Sequence, residues 1–248
     1  MVLAMKQPNR ALVAALDPFM IANGFKFLKS REAYFRKYDG GFDYFSWSTY
    51  PLSTGEKWKA GYHEGHYGIG KRVDKIEQLT REVMPIYGSD NERYAFTIYR
   101  GVGNPAGNWF AFDPVRDKAL CLRFDHLEED AINAAGHIEA MLKTDGRGWY
   151  ERYSDPVALS RDINDPLGGL DPHPLVNNVN YRPLVGVAAA CVGEPERVPT
   201  LVDEWLSTIN DWDKKTAGKR PPLIDDVARK LTLITDKAKV LGYLNSAH

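Results

Sequence analysis

Cysteine is scarce: the chain of 248 residues holds two, Cys121 and Cys191, both among apolar neighbours. Such a pair points to buried free thiols and excludes a disulfide framework. Long apolar runs are missing as well, and no stretch approaches the roughly eighteen apolar residues of a membrane-spanning helix. At the N-terminus, Lys6 and Arg10 precede the short apolar run Ala11 to Leu16, but Asp17 and Pro18 interrupt it before a secretory leader would be complete. A cytoplasmic location is therefore expected. There is no G-x-S-x-G nucleophile elbow, no cysteine–histidine pairing, no internal repeat and no low-complexity tract.

The composition is that of a globular protein, 44% hydrophobic and 26% charged, with a generous 12% of aromatic side chains. A chain of this length buries enough surface to fold without a structural metal or a disulfide.

The net charge of −1 conceals an asymmetry. Residues 1–124 carry 18 basic and 13 acidic side chains, residues 125–213 carry 6 and 17, and residues 214–248 carry 8 and 3. An excess of eleven negative charges in the middle stretch is more than solubility requires, and it implies long-range attraction to a basic partner.

Hydrophobic periodicity changes along the chain. Leu12, Leu16, Phe19 and Met20 recur at helical spacing, predicting a helix over 8–23 that Gly24 caps and Pro18 kinks or splits. From Phe25 to Tyr67 the period falls to two, predicting a meander of strands over 25–28, 32–38, 42–50 and 58–67, with a hairpin at Asp39-Gly40-Gly41. A helix over 71–84 follows, then strands over 94–99, 109–112 and 119–124. The run Asp125-His126-Leu127-Glu128 has capping-box spacing and opens a helix that ends at Gly146. Beyond Trp149 the pattern is helical over 155–163, 183–191, 199–212 and 221–244, with prolines at several first turns. The expected fold class is thus α+β: an antiparallel meander sheet flanked by helices over 1–148, and a helical region over 149–248 packed on it as one body.

Several constellations suggest chemistry, and each has a plainer reading. Gly65-His66-Tyr67-Gly68-Ile69-Gly70-Lys71-Arg72 matches a phosphate-binding loop except at its last position, where Arg72 replaces the hydroxyl that would hold magnesium. A glycine-loosened strand-to-helix connection is the favoured reading. His63 and His66 lie one residue short of H-E-x-x-H spacing, and on a strand they face opposite ways, so no metal is expected there. The irregular stretch 165–182 contains Asp171-Pro172-His173, with Asp162 and Asp165 nearby; a base and an orienting carboxylate are conceivable, but aspartates before prolines are ordinary turn formers. Tyr34, Phe35, Tyr38, Phe42, Tyr44, Phe45, Trp47 and Tyr50, interleaved with Arg31, Arg36 and Lys37, could stack single-stranded bases, although cross-strand packing explains most of these rings.

The segment Asn23-Gly24-Phe25-Lys26, then Ala33 to Tyr38, a glycine turn and Phe45-Ser46-Trp47-Ser48, resembles uncharacterised bacterial domains found among toxin-immunity loci, over roughly residues 10–100. The resemblance implies a non-enzymatic inhibitor that binds and blocks one toxin, its acidic region facing a basic groove. No catalytic residue, cofactor or metal is expected. The expected partner is a protein with a basic surface, not a membrane and not nucleic acid. Glu128, Glu129, Asp130, Asp203, Glu204, Asp211 and Asp213 are the candidate partner-binding residues. A hydrolase using the 165–182 loop is the alternative, and a sheet-based nucleic-acid binder the third reading.

Overall fold

The computed structural model describes residues 7–54, 57–84, 97–102, 121–167, 173–176, 180–219 and 221–245. The chain divides into two compact units, one of residues 1–70 and 100–149, the other of residues 71–99 and 150–248. Segment 71–99, assigned from the sequence to the N-terminal region, thus belongs with the C-terminal helices.

In the first unit, helix α1 (Gln7–Ala22) buries Leu12, Val13, Leu16 and Met20. It runs unbroken through Pro18, so of the expected kink or split the split does not occur. Pro18 and Ala14, whose carbonyl loses its amide donor, are both exposed, so water can satisfy that carbonyl. Gly24 ends the helix at φ +80°, and the Phe25 amide closes back on the Met20 carbonyl at 2.9 Å.

Strands β1 (Lys26–Leu28), β2 (Ala33–Tyr38), β3 (Gly41–Thr54), β4 (Lys57–Val73) and β5 (Ile98–Val102) form a sheet in that order, and β6 (Cys121–Arg123) pairs with β4. The antiparallel meander of an α+β fold is therefore present. Tyr38 pairs with Gly41 across a two-residue turn at Asp39-Gly40, and Gly40 supplies the positive φ of +92°. Register aligns Phe27, Tyr34 and Phe45 on one face, where Trp47 and Tyr67 join them in a ring cluster. The Tyr34 hydroxyl donates to Asp17 of α1 at 2.6 Å, fixing this face on the helix. On the other face Phe35 meets the edges of Phe42 and Tyr44.

A short 3₁₀ turn at Phe124–His126 leads into α3 (Leu127–Met141), which packs on α1. The expected capping box is not formed, since the first helical turn has no side-chain cap. Asp130 serves there instead, accepting from the Arg123 amide at 2.8 Å and from its guanidinium. Gly146 does not end the helix. A π turn at Leu142–Gly146 carries the chain into α4 (Arg147–Arg152), within which the boundary between units falls.

The second unit is built round α6 (Arg182–Gly193), buried continuously from Arg182 to Cys191. A helix apolar on every side must lie inside a bundle. Around it pack α2 (Asp74–Thr80), α5 (Pro156–Asn164), α7 (Val198–Lys215) and α8 (Ile224–Val240). Gly186 and Gly193 permit the close approach of α5: a Cβ on Gly193 would lie 2.7 Å from the Val157 amide nitrogen. Asp155 caps α5 by accepting from the Val157 amide. Each outer helix turns one stripe inward, such as Val198, Leu201, Trp205 and Ile209 of α7 and Val227, Leu231, Ile234 and Ala238 of α8.

The strands expected over 94–99 and 109–112 fall wholly or largely outside the described residues, and β5 begins only at Ile98. The helix expected from Lys71 begins later, at Asp74, because β4 continues to Val73.

Candidate functional site

The acidic residues singled out by charge do not share one environment. Asp130 is buried against Arg123, which approaches its carboxylate at 2.7 Å and holds its pKa below the usual carboxylate value. Asp213 accepts from the Leu223 and Ile224 amides, at 2.7 and 2.9 Å, and so holds the start of α8 against the end of α7. These two carboxylates serve the fold. Glu128 and Glu129 lie exposed on the first turn of α3, in the first unit, where Glu129 is 3.5 Å from the His126 ring.

Asp203, Glu204 and Asp211 lie exposed on α7, in the second unit. Helical spacing places Asp203, Ser207, Asn210 and Asp211 along one outward stripe, opposite the buried Leu201, Trp205 and Ile209. No basic residue occurs between Arg197 and Lys214. Arg197 is committed elsewhere, to Asp165 at 2.7 Å and Glu194 at 3.1 Å, while Lys214 lies 3.4 Å from Asp211. Asp162, Asp165 and Glu194 are likewise matched by Arg152, Arg197 and Arg161. Part of the middle segment's negative charge is thus neutralised locally, while exposed acids remain both on the first turn of α3, at Glu128 and Glu129, and on α7, at Asp203 and Glu204.

The glycine–lysine run is no loop. Residues 65–73 continue β4, Lys71 is buried with its ammonium 5.9 Å from the Tyr150 ring centre, and Arg72 turns to Asp74 at 2.6 Å. Extended backbone cannot wrap a phosphate as a glycine-rich loop before a helix does. His63 and His66 also lie in β4, with His63 paired to Leu122 of β6. Among the described residues no group of three or more histidine, cysteine or acidic side chains could hold a metal.

Of the loop residues, Asp171 lies outside the described residues. His173 has both ring nitrogens engaged, one with the Asp162 carbonyl at 3.0 Å and the other with the Leu175 amide at 3.2 Å. Asp162 accepts two bonds from Arg152 and one from the Tyr153 hydroxyl, and the arginine keeps its pKa low. A ring tied at both nitrogens can take a substrate proton only by giving up the bond to the Leu175 amide.

The aromatic run is mainly core. Tyr34, Phe35, Phe42, Phe45 and Trp47 are buried, so these rings pack on one another and are not offered to bases. Tyr38 and Tyr44 remain half-exposed, and the side chain of Tyr50 lies outside the described ones.

No protein family, curated protein or solved structure matches the chain. Among the described residues no helix is long and apolar enough to cross a membrane.

Sequence reasoning missed the buried polar centre of the second unit. Asn164, Ser160, Arg182 and Glu194 are all buried there, and Arg182 donates to the Ile163 carbonyl while its guanidinium lies 5.4 Å over Trp205. Glu77 of α2 is a second buried acid, its pKa raised by burial against the opposing effect of a Thr97 hydrogen bond. No local pattern signals either, since the burial comes from contacts distant in sequence, such as Trp205 on Asn164 and Thr97 on Glu77.

Proposed function

We propose that the chain is a non-enzymatic protein-binding protein, an immunity-type inhibitor that meets a basic surface of its target with the outward face of α7. The observation that carries this reading is the exposed pair Asp203 and Glu204, extended by Asp211 whose carboxylate Lys214 meets at 3.4 Å, on a helix with no basic residue from Val198 to Asp213. Like charges left together on one face repel each other, and a cationic partner relieves that repulsion on binding. The complementarity acts chiefly on encounter rate and orientation, whereas affinity comes from apolar and aromatic contacts at the interface. The engagement of both His173 nitrogens disfavours the hydrolase alternative, and the burial of the sheet aromatics disfavours the nucleic-acid one.

The test uses the full chain as bait in its native host, with partners identified by mass spectrometry, beside a variant with Asp203, Glu204 and Asp211 changed to lysine. Asp213 is left intact because it holds α8. The variant should associate with a captured partner at least about tenfold more slowly at low salt, the gap closing as salt is raised. Equal association rates at all salt concentrations would remove α7 as the contact surface.

A further inference from the structure

The turn at 173–176 is fastened on two sides within the second unit. Leu175 offers its carbonyl to the Tyr99 amide of β5 at 3.1 Å, and His173 reaches the Asp162 carbonyl of α5 at 3.0 Å through Nε2. Within the turn, the Leu175 amide nitrogen lies 3.2 Å from Nδ1 of His173. A main-chain amide only donates and a carbonyl only accepts. Nδ1 must therefore carry a lone pair and Nε2 the hydrogen. The two bonds select one tautomer of the neutral ring, and an imidazolium, a donor at both nitrogens, cannot make both.

We propose that His173 is a proton-operated latch: protonation at Nδ1 turns the acceptor of the Leu175 amide into a donor, breaks that bond and opens the 173–176 turn from within, while Nε2 keeps its hold on the Asp162 carbonyl. The groups around it set the latch for neutral pH. His173 is partly buried, and the Arg182 guanidinium of α6 adds a like charge; both lower its pKa below the usual imidazole value. Opposing them are the hydrogen bond to the Asp162 carbonyl and the Asp162 carboxylate, itself held by Arg152 and Tyr153. Because the folded ring resists protonation, the latched form is fully favoured above about pH 6.5. It weakens as pH falls from there to the lowered folded value, the opening constant rising by up to about tenfold per pH unit within that window. The latch is independent of the α7 contact surface, and its test does not need the partner.

The experiment is done on the full chain by NMR. Long-range nitrogen–proton correlation at about pH 7.5 should show His173 unprotonated at Nδ1 and protonated at Nε2, well above the usual imidazole value. The exchange protection of the Leu175 amide, corrected for intrinsic rate, should fall as pH drops below about 6.5, by up to about tenfold per pH unit, while the Val187 amide in α6 stays protected. In His173→Asn the shorter side chain can still accept from the amide two residues on, as in an Asx turn, and does not titrate. Protection of Leu175 should then no longer depend on pH. An Nδ1–H tautomer at neutral pH, flat protection in the native chain, or parallel loss at Val187 would each overturn the latch. The first two are read on the unaltered protein, so they decide the matter even if the variant fails to fold.

Discussion

The indole nitrogen of Trp205 donates to Oδ1 of Asn164 at 2.9 Å, and both side chains are buried. The same asparagine donates to the Gly186 carbonyl at 3.1 Å and to the Ser160 hydroxyl at 3.3 Å. One side chain thereby joins α5, α6 and α7 in a region where a polar atom without a partner is costly.

Asn164→Ala should lower stability by roughly 1–3 kcal/mol in chemical denaturation, since it strands the Trp205 indole in a buried site. Trp205→Phe should cost about 1–3 kcal/mol, and the double variant should show a coupling of about 0.5–3 kcal/mol. Strict additivity would mean that the two side chains do not share this bond.

Gly186→Ala should destabilise even though alanine is the better helix former by about 1 kcal/mol. The new Cβ would lie 2.3 Å from Asn164 Oδ1 and 2.9 Å from Ile163 Cγ2, so α5 must shift or the asparagine must leave its partners. A net loss of roughly 1–3 kcal/mol is expected. Gly136→Ala, on the exposed side of α3 with nothing within 4 Å, should instead gain about 0.5–1 kcal/mol. Thermal melts of the two variants should therefore move in opposite directions.

Glu77→Gln should raise the melting temperature at neutral pH. Burial raises the carboxyl pKa despite Thr97, Arg72 and Arg81, so folding works against its ionised form. An acid with a raised folded pKa adds stability only as pH falls through that value toward the ordinary one. The advantage of glutamine should accordingly shrink as the solution is acidified. A variant less stable than the native chain at neutral pH would show that the carboxylate is worth more to its arginine neighbours than its burial costs.

Asp213→Ala should lower stability by about 1–2 kcal/mol, because two amides at the start of α8 lose their acceptor. Asp203→Ala and Asp211→Ala, on the outward face, should change it by less than about 0.5 kcal/mol. Denaturation of the three variants under one buffer separates the carboxylate that holds the fold from those available to a partner.

Much of the fold was legible locally. Alternation around Tyr34 and Phe45 predicted paired strands, and Asp39-Gly40 predicted their turn, because both signals act over two to four residues. The helices α5, α6, α7 and α8 fall on the helical patterns predicted beyond Trp149, three of them with proline in the first turn. The candidate surface was legible only in part. Charge counting found Asp203, Glu204 and Asp211, but it could not separate them from Asp130 and Asp213, whose partners come from the opposite ends of their own motifs.

By itself the amino-acid sequence determined the period of each segment, the main turns and the sign of charge along the chain, since these depend on near neighbours. The tertiary structure alone decided that Gly65 to Val73 stay extended, that Lys71 is buried, that 71–99 joins the C-terminal helices and that His173 accepts one hydrogen bond while donating another. Those outcomes rest on hydrogen-bond partners and burial supplied across the fold, which no local pattern encodes.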